Sequence, residues 1–216
     1  VFYDTISKIN GYDKYICKYY GYINDDYNNT KCKYIILEKM ELDLYDYIYN
    51  DKLRSKLVKA NKINPLEYNF DFCMDILTTV CEGLMFIHKA GFVYNDLKME
   101  NLMFSDNKLK LIDFNCIGYK KEKWSGCGTL EYMSPEAVLN YTYNTIPTIH
   151  IKSDSWCFGI LLYELFTKTV SPFYNKNKNT IISNIMENIY DEEVVATELF
   201  IQNNSIITHK KIIKRL

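Results

Sequence analysis

The stretch YNDLKMEN (residues 94–101) packs two acids, a base and two amides between apolar neighbours. Taken alone, it has two readings. It is an exposed polar turn, or it is a loop in which Asp96, Lys98 and Asn101 act on one substrate. Loops are rich in Asp and Asn, so the isolated spacing favours the turn. The residues downstream reverse that preference. Asp113 stands twelve residues beyond Asn101 in IDFN (112–115), then come MSPE (133–136) and the strongly apolar SDSWCFGILLYEL (153–165).

Four motifs in this order and at these distances resemble the eukaryotic protein kinase family. YNDLKMEN is similar to its catalytic loop H-R-D-L-K-x-x-N, IDFN to D-F-G, MSPE to A-P-E, and SDSWCFGILLYEL to its buried central helix. The resemblance runs from about residue 1 to the last residue. It implies a mainly α fold: a helical large lobe with small β elements over 39–216, incomplete at its C-terminus. Residues 1–38 would be the end of a small lobe, comprising the end of the regulatory helix and two strands. The activity it implies is transfer of the γ-phosphate of ATP to Ser or Thr hydroxyls of protein substrates, with Mg2+.

Phosphoryl transfer needs positioning and charge neutralisation more than covalent help, and the residue types suit that demand. Asp96 is expected to accept the proton of the substrate hydroxyl, and Lys98 to offer positive charge to the transferring group. Asn101 and Asp113 are hard oxygen donors of the kind Mg2+ takes. By resemblance, Glu38 to Met40 form the hinge whose backbone bonds adenine, with Leu37 as gatekeeper and Met103 beneath the ring. Asp154 resembles the acid that ties the catalytic-loop backbone to the central helix, a burial that requires several N–H donors. Glu136 resembles the acid that pairs with a late Arg, expected just past Leu216. Lys98 after Asp-Leu, together with Thr129 in GTLEYMSPE (128–136), accompanies serine/threonine specificity in the family.

Three departures qualify the resemblance. Asn95 stands where the family has an Arg that pairs with a phosphorylated activation-segment residue, and a neutral Asn makes no such pair. Asn115 replaces the Gly of D-F-G, and Asn is the commonest non-glycine residue at positive φ. Neither a Gly-rich phosphate loop nor a strand lysine is present in these 216 residues, and the regulatory-helix Glu falls on Phe2. Residues 1–216 by themselves are therefore expected to be catalytically silent. The rival reading is a pseudokinase, a kinase-shaped binding or scaffold module. The segment between Asp113 and Glu136 also carries Lys120, Lys121, Lys123 and Ser125; the lysine run reads as a solvated face.

Elsewhere the pattern predicts elements. Phe2, Ile6 and Ile9 fit the end of a helix. YICKYYGYI (15–23) and KYIILEK (33–39) read as strands joined by the polar loop NDDYNNT (24–30). LDLYDYI (42–48) reads as a short helix, and 50–64 as a surface connection. Cys73, Ile76, Leu77, Val80, Leu84 and Ile87 recur at helical spacing over 69–89, with Gly91 just beyond. Residues 153–168 read as a buried helix capped by Ser153, and 179–189 and 209–216 as amphipathic helices.

Composition excludes some classes. The chain is 48% hydrophobic and 25% charged with a net charge of −1, ordinary for a globular domain and without a nucleic-acid footprint. No membrane-spanning run is read; the longest apolar stretch includes Glu164. Seven scattered cysteines, odd in number and without C-x-x-C spacing, suggest reduced thiols and an intracellular, cytoplasmic protein. Oligomeric state is not legible.

Overall fold

A computed structural model describes residues 2–27, 30–122, 126–143 and 150–187. The chain divides into two compact units, one of residues 1–86 and 99–113, the other of residues 87–98 and 114–216. The boundary at 38/39 expected from the resemblance falls inside the first unit.

In the first unit, α1 (Phe2–Ile6) precedes the antiparallel hairpin of β1 (Tyr19–Tyr27) and β2 (Thr30–Leu37). The strands run well into the polar stretch expected to be a loop, with Asn24 opposite Lys33 and Asp25 opposite Cys32. A two-stranded ladder is closed by backbone hydrogen bonds, so polar residues continue it at little cost. Tyr15–Lys18 lie outside β1; Ile16 instead bridges Leu111, with Leu111 N–H donating to Tyr15 O and Cys17 N–H to Leu111 O.

After residues 38–41, β3 (Leu42–Asp43) leads into α2 (Leu44–Tyr49), capped by Asp43, whose carboxylate accepts from Asp46 N–H at 2.7 Å. Residues 51–59, expected to be a surface connection, are instead the helix α3 (Asp51–Lys59). It buries no residue, so no apolar stripe announces it. Its signals are local. Asn50 caps it by accepting from Leu53 N–H, and Arg54 donates to the carbonyls of Tyr47 and Ile48.

The long helix α4 (Phe70–Lys89) has the predicted extent, and Gly91 follows it at φ 92°. Up to Phe86 it belongs to the first unit, where Gly83 lies so close to Leu111 that a Cβ would stand 2.5 Å from its Cδ1. β5 (Leu102–Ser105) and β6 (Lys108–Leu111) form a hairpin to which β3 adds, in the order β3–β5–β6. Tyr47 packs on Phe104 with ring centroids 4.5 Å apart.

In the second unit, β4 (Phe92–Val93) pairs antiparallel with β7 (Gly118–Tyr119). Next come α5 (Pro135–Tyr143), α6 (Ile151–Thr167) and α7 (Lys178–Met186). α6 is buried around much of its circumference, as its composition predicts, and Trp156 on it stacks on Phe173 at 5.6 Å. Its cap is His150, which accepts from Lys152 N–H, and not Ser153, which lies inside the first turn. The helix expected at 209–216 lies outside the described residues, as does the end of the one expected at 179–189. Among the described residues, no helix is long and apolar enough to cross a membrane.

The cysteines correct one expectation. Cys116 and Cys127 are joined by a disulfide, while Cys17, Cys32, Cys73, Cys81 and Cys157 are free. A separation of eleven residues matches no sequence pattern; the two Cα atoms lie 5.3 Å apart.

Replacing Asp43 with Ala removes the α2 cap and is expected to cost about 1 kcal/mol in thermal unfolding. Burial raises the Asp43 carboxyl above its ordinary value. Asp43→Asn, which caps without a charge, should therefore melt at or above the wild-type temperature at neutral pH.

Candidate active site

The loop of residues 94–101 is held by a carboxylate with no exposed surface. Asp154, in the first turn of α6, accepts from Tyr94 N–H at 2.9 Å and Asn95 N–H at 2.7 Å, and His88 Nε2 lies 2.7 Å from its Oδ2. An ionised carboxylate only accepts, so the His88 ring donates. These donors satisfy a charge that would otherwise be expensive to bury. The Tyr94 ring is fully buried and packs on Phe114 at 5.3 Å.

Asn95 sits at φ 67°, in the left-handed region that Asn tolerates better than most residues. Its side-chain amide donates to Val93 O at 3.2 Å and to Cys116 O at 3.0 Å. Asp96 comes next, nearly buried, and its Oδ1 accepts from Thr129 Oγ1 at 2.8 Å. Lys98 Nζ donates to the same Thr129 oxygen at 2.8 Å and lies 3.9 Å from Asp96 Oδ2. One hydroxyl thus bridges the acid and the base. Behind them, burial pushes the Cys157 thiol well above its ordinary value, with the Asp154 and Asp96 carboxylates adding to the effect. It stays neutral and donates to Tyr132 O. Glu136 is exposed in the first turn of α5.

The first unit holds the other candidates. Leu102 pairs with Leu111, and Ile112 N–H donates to Asn101 O at 3.0 Å. The hairpin register therefore puts Asn101 and Asp113 at the same end of β5–β6. Asn101 is buried at the close of a 3-10 turn, and Asp113 is exposed at φ 51°. The positive φ expected at Asn115 is found at Asp113 instead. Two oxygen donors so placed suit Mg2+, which takes one or two side chains, keeps waters and completes its shell with phosphate oxygens.

Just past β2, both Glu38 carboxylate oxygens accept from Lys110 Nζ, at 2.8 and 2.7 Å, and Oε2 also accepts from Lys18 N–H. Burial opposes ionisation of Glu38, but hydrogen bonds from Lys110, Ser105 and Lys18 outweigh it and hold the carboxyl below its ordinary value. Glu41 N–H donates to Phe104 O, and Asp43 pairs with Met103, so the stretch is fixed at both ends. Leu37 ends β2 with 37% of its surface exposed, while Met40 and Met103 are half-buried.

Asp96, Lys98, Thr129, Asp154 and Glu136 thus belong to the second unit, and Leu37, Glu38, Met40, Asn101, Met103 and Asp113 to the first. Lys123 and Ser125 lie outside the described residues. Sequence reasoning missed Lys110, since KLKL alternates as if both lysines faced water. It also missed His88, and Asn95 as a hydrogen-bonding residue; an Asp nearby in the fold but distant in sequence leaves no local signal.

The family described as "Protein kinase domain" matches residues 4–215. The chain is 40% identical over 100 residues to cGMP-dependent protein kinase 2 of Rattus norvegicus, covering 44% of this chain and 12% of that protein. It is 33% identical over 144 residues to cAMP-dependent protein kinase type 3 of Saccharomyces cerevisiae, covering 65% and 33%. With ribosomal protein S6 kinase alpha-6 of Homo sapiens it shares 33% identity over 189 residues, covering 70% and 24%. The chain thus spans a third or less of the length of these relatives. In fold it resembles a chain in the crystal structure of the yeast RNA Pol II CTD kinase CTDK-1 complex, with a TM-score of 0.63 at 19% identity, covering 84% of this chain and 53% of that one. The chain belongs to the protein kinase domain family.

The lowered Glu38 carboxyl predicts a pH dependence of stability. Its contribution is complete above the ordinary value of 4.5 and is lost as pH falls through the lower folded value. Denaturant unfolding across that range should show an acid limb that Glu38→Gln reduces.

Proposed function

We propose that this member of the family is the greater part of a serine/threonine protein kinase catalytic domain, with the end of a small lobe over 1–38 and a large lobe over 39–216. In the complete protein it moves the γ-phosphate of ATP to Ser or Thr hydroxyls of protein substrates. The observation that supports this most is the Thr129 hydroxyl, which donates to Asp96 Oδ1 while accepting from Lys98. A base, an alcohol and a neutralising cation stand there in the relation that general-base phosphoryl transfer uses.

The residue roles follow from their chemistry. Asp96 orients the substrate hydroxyl and takes its proton. Lys98 offsets negative charge on the transferring group, and Thr129 sets the separation of Asp96 from Lys98. Asn101 and Asp113 would hold Mg2+, which when bound neutralises phosphate charge. Adenine would meet the backbone of Glu38 to Met40, between Leu37 and Met103, because the Glu38 side chain is committed to Lys110. Asp154 is structural, and Glu136 would serve an Arg farther along. The activity places the protein where ATP and Mg2+ are abundant, inside the cell.

The pseudokinase alternative rests partly on Asn95. Its amide is engaged with Val93 and Cys116, so the loss of Arg is compatible with an ordered Asp96.

Asp96→Asn in the complete protein should lower Mg-ATP-dependent phosphorylation of a Ser/Thr peptide by about 10²–10⁴-fold. Equal rates for the two proteins would overturn the assignment. Asn101→Ala should shift the Mg2+ dependence of that rate to higher concentration, read by titrating MgCl2 at fixed ATP.

A further inference from the structure

The disulfide stands in a ring of connections that opens and closes on adjacent residues of the catalytic loop. Asn95 Nδ2 donates to Cys116 O, Cys116 is bonded to Cys127, and two residues later Thr129 Oγ1 donates to Asp96 Oδ1. Between them Gly128 has φ 134°, and a Cβ there would stand 2.9 Å from the Asn95 carbonyl oxygen. The backbone at Gly128 therefore lies directly on the catalytic loop, and every link of the ring is in the second unit.

We propose that Cys116 and Cys127 form a reversible redox clamp that holds Thr129 between Asp96 and Lys98, so that thiol–disulfide exchange regulates the site. This rests on the kinase reading of that site. Downstream, Thr129 is anchored whatever the redox state. Tyr132 N–H donates to Thr129 O, and the Tyr132 hydroxyl donates to the buried Glu164. Upstream, its covalent tie to a fixed point is Cys127. Asn95 offers no charge to a phosphorylated residue, so the cross-link supplies covalently the kind of tether that an ion pair would otherwise make.

The chemistry favours reversal. Five other cysteines are free, among them exposed Cys81, and inside the cell, where the proposed activity lies, a disulfide is usually a transient or redox-sensing one. Cys116 is buried and Cys127 is partly exposed, so exchange begins at the Cys127 sulfur. A glutathione thiolate attacks it, the S–S electron pair leaves on Cys116, and that sulfur takes a proton. A second glutathione thiolate attacks the glutathione sulfur of the mixed disulfide, releasing the Cys127 thiolate, which is protonated in turn. Two glutathiones have become one glutathione disulfide, and two electrons and two protons have passed to the protein. Closure is the reverse, with glutathione disulfide as the oxidant.

The test equilibrates the complete protein in buffers of stepped glutathione to glutathione disulfide ratio. Differential alkylation and peptide mass give the bonded fraction, hydrogen exchange follows the amides of 126–132, and phosphorylation of a Ser/Thr peptide is measured at each ratio. The bonded fraction should follow the ratio reversibly, with about tenfold slower exchange of 126–132 in the bonded form and a parallel change in peptide phosphorylation. Cys116→Ser and Cys127→Ser should each abolish the redox dependence of both. The wild-type titration needs neither variant, so a misfolded variant leaves the result intact. If exchange follows the ratio but no condition yields phosphorylation, the kinase reading fails and the clamp stands. If the two cysteines stay reduced at every ratio, or if rate and exchange ignore the bond, the clamp is overturned.

Discussion

A single buried carboxylate organises the second unit. Asp154 has no exposed surface, and a charge there is tolerated only because two backbone N–H groups and an imidazole converge on it. Its place in the first turn of α6 adds the favourable field of a helix N-terminus. Donors so tightly specified remove the freedom of the backbone at 94 and 95. Asn95 takes a left-handed conformation, its amide turns to Val93 and Cys116, and Asp96 emerges with its carboxylate on the Thr129 hydroxyl. Asp154 itself is a positioning residue: it acts through the backbone on Asp96.

The first unit has a counterpart in Lys110 and Glu38. A lysine with 7% of its surface exposed needs a partner, and it has both oxygens of one carboxylate. The pair is weak grounds for added stability, since desolvation offsets much of the attraction. It does fix position, tying residue 38, just past β2, to β6. The same strand, through its register with β5, brings Asn101 and Asp113 to one end of the hairpin. One ladder thus serves both the segment proposed as the hinge and the oxygen donors proposed for Mg2+.

Elements whose formation depends on burying a periodic face are legible in the sequence. α4 and α6 show in their apolar patterns. Elements held by local polar bonds are not legible. α3 buries nothing, the ends of β1 and β2 are polar, and the α6 cap is a histidine where the pattern points to a serine. Among site residues, those inside contiguous motifs are legible through resemblance. The partners that order them are not: His88, Lys110 and the Cys116–Cys127 bond each join residues distant in the chain or without a spacing rule. Backbone sign is also hidden, and the positive φ lies at Asp113 although Asn115 is the more permissive residue.

Asn95 shows how a departure from a family pattern changes meaning once its backbone is known. Read as a letter, it is a lost cation. In the fold it occupies φ 67°, where a long basic side chain would be less at ease than Asn, and its amide bonds two carbonyls. One of those carbonyls belongs to Cys116, a half of the disulfide. The substitution therefore removes an electrostatic tie and makes a hydrogen bond to a residue that is tied covalently. Asp96 shares the backbone of Asn95 yet directs its carboxylate to Thr129, so the group proposed for chemistry and the group that anchors the segment are adjacent in sequence but have separate bonding partners.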